Sequence, residues 1–154
     1  MELPDEPVTM LLDRRLMTQA ITNLVKNAAE AAQAVLEQPD APKDFEGLVE
    51  TRLTSDGTTA VVEVIDNGVG LSKAMRSRLL EPYVTTKAKG TGLGLAIVQK
   101  IVEQHGGRLE LTDAPITATR TSGAAVRMHL PVRETANEAV AQTDIEPKLA
   151  TTAK

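Results

Sequence analysis

The sequence has no cysteine and no tryptophan, one tyrosine, one phenylalanine and two histidines in 154 residues. Without cysteine there is no disulfide framework, no thiol nucleophile and no thiolate-bound zinc; the composition fits a reducing compartment. With aromatics at 1% of the chain, the 42% hydrophobic content must build a core from Val, Ile, Leu, Met and Ala. The net charge of −4 provides no general basic field for nucleic acid or an acidic membrane surface. No apolar run approaches the ~20 residues of a membrane span, and the N-terminus lacks the basic-then-apolar order of a signal peptide. The length suits one soluble domain of ordinary size.

Hydrophobic periodicity places the elements. Val8 to Leu12, an apolar run after two prolines, reads as a strand. Asp13 is a plausible N-cap for a helix reaching about Leu36, with an apolar stripe of Met17, Ile21, Leu24, Ala28, Ala32 and Val35. A loop follows, then Leu48 to Thr54 and Thr59 to Ile65 read as a hairpin about Asp56-Gly57. Ser72 caps a short predicted helix through Leu80, and Glu81 to Thr91 is irregular, polar and expected to be mobile. Leu93 to His105 reads as an apolar helix stopped by Gly106-Gly107. Arg108 to Thr112 and Ala124 to Val132 read as strands. Beyond Arg133 the pattern loses its period, which predicts a domain over residues 1–133 and a disordered tail over 134–154. The class is α+β, with helices layered on one face of a mixed sheet.

Three short blocks carry the chemistry. Asn23, Asn27 and Glu30 fall at i, i+4 and i+7, on one helix face opposite the apolar stripe. An amide oxygen there is a reasonable hard ligand for Mg²⁺ that also holds phosphate and water. Taken alone, the same residues describe a solvated helix face, although asparagine is a poor mid-helix residue. Asp66 ends the apolar strand run. Its carboxylate can accept a hydrogen bond from the exocyclic amine of adenine and would repel the carbonyl of guanine. Gly68 and Gly70 permit positive φ and close approach of a flat base; taken alone, Asp66-Asn67-Gly68 is an ordinary turn. Gly90, Gly92 and Gly94, with Thr91 and Leu93 between them, precede a helix whose first amides can hold an anion. Their spacing is neither the dinucleotide fingerprint nor a Walker loop. Thr85, Thr86, Lys87 and Lys89 stand just before this block, where a lysine can reach a terminal phosphate. His105 and His129 are isolated and read as structural.

In this order and spacing, the blocks resemble the ATP-binding catalytic domain of sensor histidine kinases, in the superfamily that also holds gyrase, Hsp90 and MutL. Asn23 to Ala28 is similar to that family's N box and Asp66 to Gly70 to its G1 box. Glu81 to Thr86 is similar to the F box, with Tyr83 at a position usually held by phenylalanine, and Gly90 to Leu95 to the G2 box. The likeness spans about Val8 to Val132. The run from Glu81 to Leu95, with Asp113-Ala114-Pro115 and Gly123-Ala124, is most similar to the NtrY type of nitrogen-regulation sensor.

The resemblance implies a two-layer Bergerat-type sandwich, with about five strands in a mixed sheet and three helices on one face. It implies ATP and Mg²⁺ as ligands. Asn27 would be the metal ligand with Asn23 beside it, and Asp66 would take the adenine between Gly68 and Gly70. Tyr83 would be an aromatic anchor, Lys87 a lid contact to phosphate, and Gly90, Gly92 and Gly94 the lid hinge. Family members that hydrolyse ATP carry a glutamate where Asn23 stands, and an amide cannot act as a general base. Weak intrinsic hydrolysis is therefore expected. The phosphoacceptor histidine sits in a His-Glu or His-Asp motif on a dimerising helical hairpin, and neither occurs in this sequence. The implied partners are that dimerisation domain and, through the parent kinase, a response regulator. This piece is expected to be monomeric and cytoplasmic, without nucleic-acid or membrane contact, even if its parent is anchored in the inner membrane. A serine kinase of the anti-sigma type and a degenerate, nucleotide-free docking module are the competing readings.

Overall fold

The computed structural model describes residues 1–4, 7–72, 76–85, 90–117 and 120–132. Helix α1 spans Arg14–Leu36, and the Asp13 carboxylate accepts a hydrogen bond from the Leu16 N–H. That cap holds the Asp13 carboxyl below the ordinary carboxylate value. The buried stripe is Met17, Ala20, Leu24, Ala28, Ala32 and Val35, so Ala20 is fully buried where Ile21 was expected and Ile21 stays half-buried. Strands β1 (Val49–Ser55) and β2 (Thr59–Asp66) pair antiparallel. Their turn is set by Asp56, whose Oδ1 accepts from the Thr58 and Thr59 N–H groups, and by Gly57 at φ +86°. Helix α2 (Gly94–Gln104) ends on Gly106 at φ +73°. The Gly106 N–H donates to Glu103 O and the Gly107 N–H to Val102 O, which makes a Schellman stop. Strands β3 (Arg108–Asp113) and β4 (Ala124–Pro131) complete a sheet of order β1-β2-β4-β3.

Both helices cover one face of this sheet. Leu24, Val64, Val98, Val102, Met128 and Leu130 fill the interface, each at most 2% exposed. Aliphatic burial of this kind, roughly 1.5–3 kcal/mol per fully buried side chain, replaces the missing aromatics.

Three expectations need correction. Among the described residues the sheet has four strands, paired antiparallel, where about five in a mixed sheet were expected. Val8 to Leu12 forms no strand. Pro4 and Pro7 have no N–H to give a ladder, and Met10 and Leu12 turn inward to pack on the core as the chain enters α1. The N-terminal segment touches the sheet at one parallel bridge, Glu2 beside Arg52, with Glu2 N to Thr51 O at 2.9 Å and Leu53 N to Glu2 O at 3.0 Å. Lastly, the described residues hold two α-helices and one 3₁₀ turn at Arg76–Arg78, where three helices were expected. Pro82 excludes helical geometry just beyond that turn. The expected tail lies outside the described residues.

The opposite face of the sheet carries charge. The register sets Arg52 beside Glu63, Glu63 beside Arg127, and Arg127 beside Glu110. This row alternates in sign across all four strands. Arg127 reaches Glu63 at 2.6 Å, and His129 Nε2 lies 2.7 Å from Glu110, which, chiefly through that bond, holds the Glu110 carboxyl below its ordinary value.

Candidate functional site

The site begins where β2 ends. Asp66 is 4% exposed, and its Oδ1 accepts from the Gly68 N–H at 2.9 Å and the Ala124 N–H at 3.1 Å. Two backbone donors from different elements therefore fix the carboxylate. The neighbouring Asn67 is buried as well. Its Oδ1 accepts from Leu48 N at 2.7 Å and its Nδ2 donates to Glu46 O at 2.8 Å, which fastens the chain entering β1 to this turn.

The two turn glycines do different work. Gly70 has φ +75° and lies against Gly123. Gly68 is not in the left-handed region, contrary to expectation. A Cβ there would lie 2.3 Å from the carbonyl carbon of Ala31, and the next residue's N–H donates to Ala31 O. Gly68 thus lets the turn rest directly on the backbone of α1, one turn beyond Asn27.

Asn23, Asn27 and Glu30 are half-buried along α1. Lys26 approaches Glu30 at 3.9 Å with both side chains well exposed, a pair of small energetic weight. A Cβ on Gly94 would lie 3.3 Å from Asn27 Nδ2, so the first residue of α2 abuts the asparagine. Leu93 is the N-cap of α2 and brings no side-chain acceptor, and the first turn carries no acidic residue. The start of α2 therefore keeps its anion-attracting dipole beside Asn27. Gly92, at φ +67°, accepts from the Tyr83 N–H through its carbonyl, and a Cβ there would meet the Tyr83 carbonyl carbon at 2.5 Å. Tyr83 itself has φ +66° and is 79% exposed, and its backbone makes the contact with Gly92. Thr85 is half-buried, and Gly90 and Thr91 are exposed. Thr86 and Lys87 lie outside the described residues.

The structure thus sets two groups against α1: Asp66, Gly68 and Gly70, whose turn rests on Ala31, and Gly94, which abuts Asn27 one turn earlier with Gly92 just before it. Sequence reasoning missed a further side of the site. The Ser122 hydroxyl donates to Gly68 O at 2.9 Å, Ala124 supplies an N–H to Asp66, and Gly123, at φ +130°, crosses so close that a Cβ would lie 1.9 Å from Asp66 O. The only signal was a glycine immediately before an apolar strand. The two histidines are structural: His105 Nε2 accepts from the Asp13 N–H at 3.1 Å and so joins the end of α2 to the start of α1.

Comparison with known proteins identifies the family. The profile of the "Histidine kinase-, DNA gyrase B-, and HSP90-like ATPase" family matches residues 12–134. The nitrogen regulation protein NtrY of Azorhizobium caulinodans is 52% identical over 120 residues, 77% of this chain and 14% of that protein. The sensory histidine kinase/phosphatase NtrB of Azospirillum brasilense is 39% identical over 107 residues, 67% of this chain and 27% of that protein. This chain therefore spans a small fraction of the length of these relatives. Among solved structures, the mycobacterial sensor histidine kinase MprB superposes with a TM-score of 0.69 at 29% identity, covering 86% of this chain and 82% of that one. The nucleotide-free catalytic domain of histidine kinase ThkA superposes with a TM-score of 0.67 at 26% identity, covering 85% and 77%. With its fold and its sequence in agreement, the chain belongs to the histidine kinase-, DNA gyrase B- and HSP90-like ATPase family, as a catalytic ATPase domain of the sensor histidine kinase kind.

Proposed function

We propose that this domain binds Mg²⁺-ATP between the Asn23–Asn27–Glu30 face, the Asp66–Gly70 turn and the Gly90–Gly94 segment. In the parent kinase it would transfer the γ-phosphate to a histidine on a separate dimerisation domain. The observation that carries this reading is Asp66, a carboxylate buried at a strand end and held through one oxygen by two backbone N–H groups. So oriented, it suits the exocyclic amine of adenine. Gly68 and Gly70 shape the turn beneath the base. The amides of Gly92, Leu93 and Gly94 at the start of α2, with Gly90 and Thr91 before them, suit the phosphates. Thr85, Thr86 and Lys87 are assigned to the terminal phosphate.

Asn27 fits Mg²⁺ because a neutral amide oxygen leaves room for phosphate oxygens and waters around the ion. Glu30, at the next turn, would receive one of those waters. When bound, the ion supplies charge for the γ-phosphate as it leaves. Asn23 offers no base, so the domain holds ATP without rapid hydrolysis. The similarity to NtrY and NtrB supports a nitrogen-regulation pathway, with phosphate passing from histidine to an aspartate on a response regulator. No helix among the described residues is long and apolar enough to cross a membrane, which suits a cytoplasmic catalytic piece.

Calorimetric titration with a non-hydrolysable ATP analogue and with GTP, with and without Mg²⁺, tests the reading. Mg²⁺-dependent adenine-nucleotide binding without GTP binding is expected; a folded chain that binds neither would overturn it. Adding a phosphoacceptor domain should then give slow histidine labelling, because separation of the two domains removes the effective concentration that linkage provides.

A further inference from the structure

Outside the site lies an ion pair with a buried guanidinium that the chemistry above does not use. Arg120, in the loop between β3 and β4, has a side chain only 4% exposed, and its guanidinium reaches Glu50 of β1 at 2.8 Å. Its Nη1 also approaches Pro115 O at 3.5 Å. Glu50 accepts a second contact from Arg52 at 3.1 Å. The pair bridges from the loop to the far edge strand across Ile65 and Ala125, both fully buried and packed with Ala114 on the charged face of the sheet. The register makes Glu50 the partner of Ile65, the residue just before Asp66. The Arg120 carbonyl also closes its own loop by accepting from Thr117 N at 2.8 Å, and Ala114 N donates to Gly123 O at 3.0 Å across the loop's base. Two residues further on, Ser122 holds Gly68, Gly123 presses on Asp66, and Ala124 donates to the Asp66 carboxylate.

We propose that Glu50 and Arg120 are a positioning pair for adenine recognition: by clamping the β3–β4 loop across the sheet, they hold Ser122, Gly123 and Ala124 where these aim the Asp66 carboxylate. The buried Arg120 guanidinium is costly to leave without Glu50, and Glu50 without Arg120 no longer ties the loop to β1; in either case the loop is released. The consequence is selective. Phosphate contacts at α2 are built on other elements and do not depend on this loop. The exocyclic amine of adenine, in contrast, is read by a carboxylate whose aim the loop sets.

This inference rests on the adenine reading of Asp66, and its test separates the two. Affinities of the full chain for ATP and for purine riboside triphosphate, which lacks only the exocyclic amine, are compared in the wild type, Arg120→Met and Glu50→Gln. Each variant is checked for a cooperative thermal transition. The expected wild-type preference for ATP is at least about tenfold, the order expected when a buried polar group of the site loses its partner. The preference should fall toward unity in both variants, while purine riboside triphosphate affinity changes little. A variant that is only less stable keeps the preference in its folded fraction. Should Arg120→Met not fold, Glu50→Gln, which keeps an acceptor oxygen, carries the test. An unchanged preference in a folded variant would overturn the positioning role. No preference in the wild type would instead overturn the adenine reading beneath it.

Discussion

The two ends of the proposed nucleotide site are built differently. At the Asp66 end, the carboxylate is buried and tied to Gly68 and Ala124, Asn67 is tied to Glu46 and Leu48, and Gly68 is tied to Ser122 while its turn rests on α1. At the Gly92 end, the described residues show one backbone bond to an exposed Tyr83 and a packing contact between Gly94 and Asn27. A base is flat, rigid and recognised by one polar edge, so its half of the site gains from being fixed beforehand. A triphosphate with its ion is flexible and strongly charged, and backbone amides that settle around it can meet it in several poses. Under the proposed function, the contrast places selectivity and capture in different parts of the same fold.

The largest effect that would break this contrast is expected from Gly123→Ala. Its φ of +130° and a Cβ 1.9 Å from Asp66 O leave no room, so urea unfolding should show a loss of about 4 kcal/mol, strain and overpacking together. A loss under about 1 kcal/mol would mean that the prebuilt end is softer than its geometry implies.

Asp66→Asn keeps an oxygen for the two N–H donors but removes the charge. Adenine-nucleotide affinity should fall by about 2 kcal/mol, roughly thirtyfold, with little change in melting temperature. Equal affinity for both proteins in calorimetry would remove Asp66 from adenine recognition.

Gly94→Ala probes the other end. The new methyl would press on Asn27 at 3.3 Å, and Mg²⁺-ATP affinity should fall roughly fivefold, about 1 kcal/mol. Helix propensity should meanwhile raise stability by up to about 0.5 kcal/mol. Opposite signs in the two measurements sharpen the comparison; parallel losses would mean that this end is as rigid as the first.

The smallest effect concerns acid. The Arg120 guanidinium, and Arg52 after it, hold the Glu50 carboxyl below its ordinary value of 4.5. Stability from this pair is therefore fully present above pH 4.5 and is lost as pH falls through the lower folded-state value. Glu50→Gln should flatten the acid limb of the stability curve below pH 4.5, and an unchanged limb would place acid lability elsewhere.

Much of this was legible in advance, for local reasons. Asp13, the apolar spacing through Val35, the Asp56-Gly57 turn and Gly106-Gly107 each bring their own start, stop or period, so α1, the hairpin and α2 fell within a residue or two of their observed limits. The strand expected at Val8 to Leu12 failed because apolar content was read without the ladder partners that two prolines deny it. The turn pattern at Gly68 suggests positive φ and close approach of a base, whereas the structure shows its missing Cβ admitting the backbone of α1. Arg120 and Ser122 left no trace, since a polar residue in a polar loop looks alike whether it faces solvent or a buried carboxylate.

The sequence by itself determined α1, the hairpin and α2, most of the hydrophobic stripe of α1 and the order of the blocks that resemble a histidine kinase domain. These follow from periods and caps within a few residues of one another. Only the tertiary structure decided which oxygen of Asp66 is held, what Gly68 touches, and that a loop more than fifty residues downstream completes the site. Those depend on contacts between segments far apart in the chain, where packing and the need to partner every buried polar group select one arrangement.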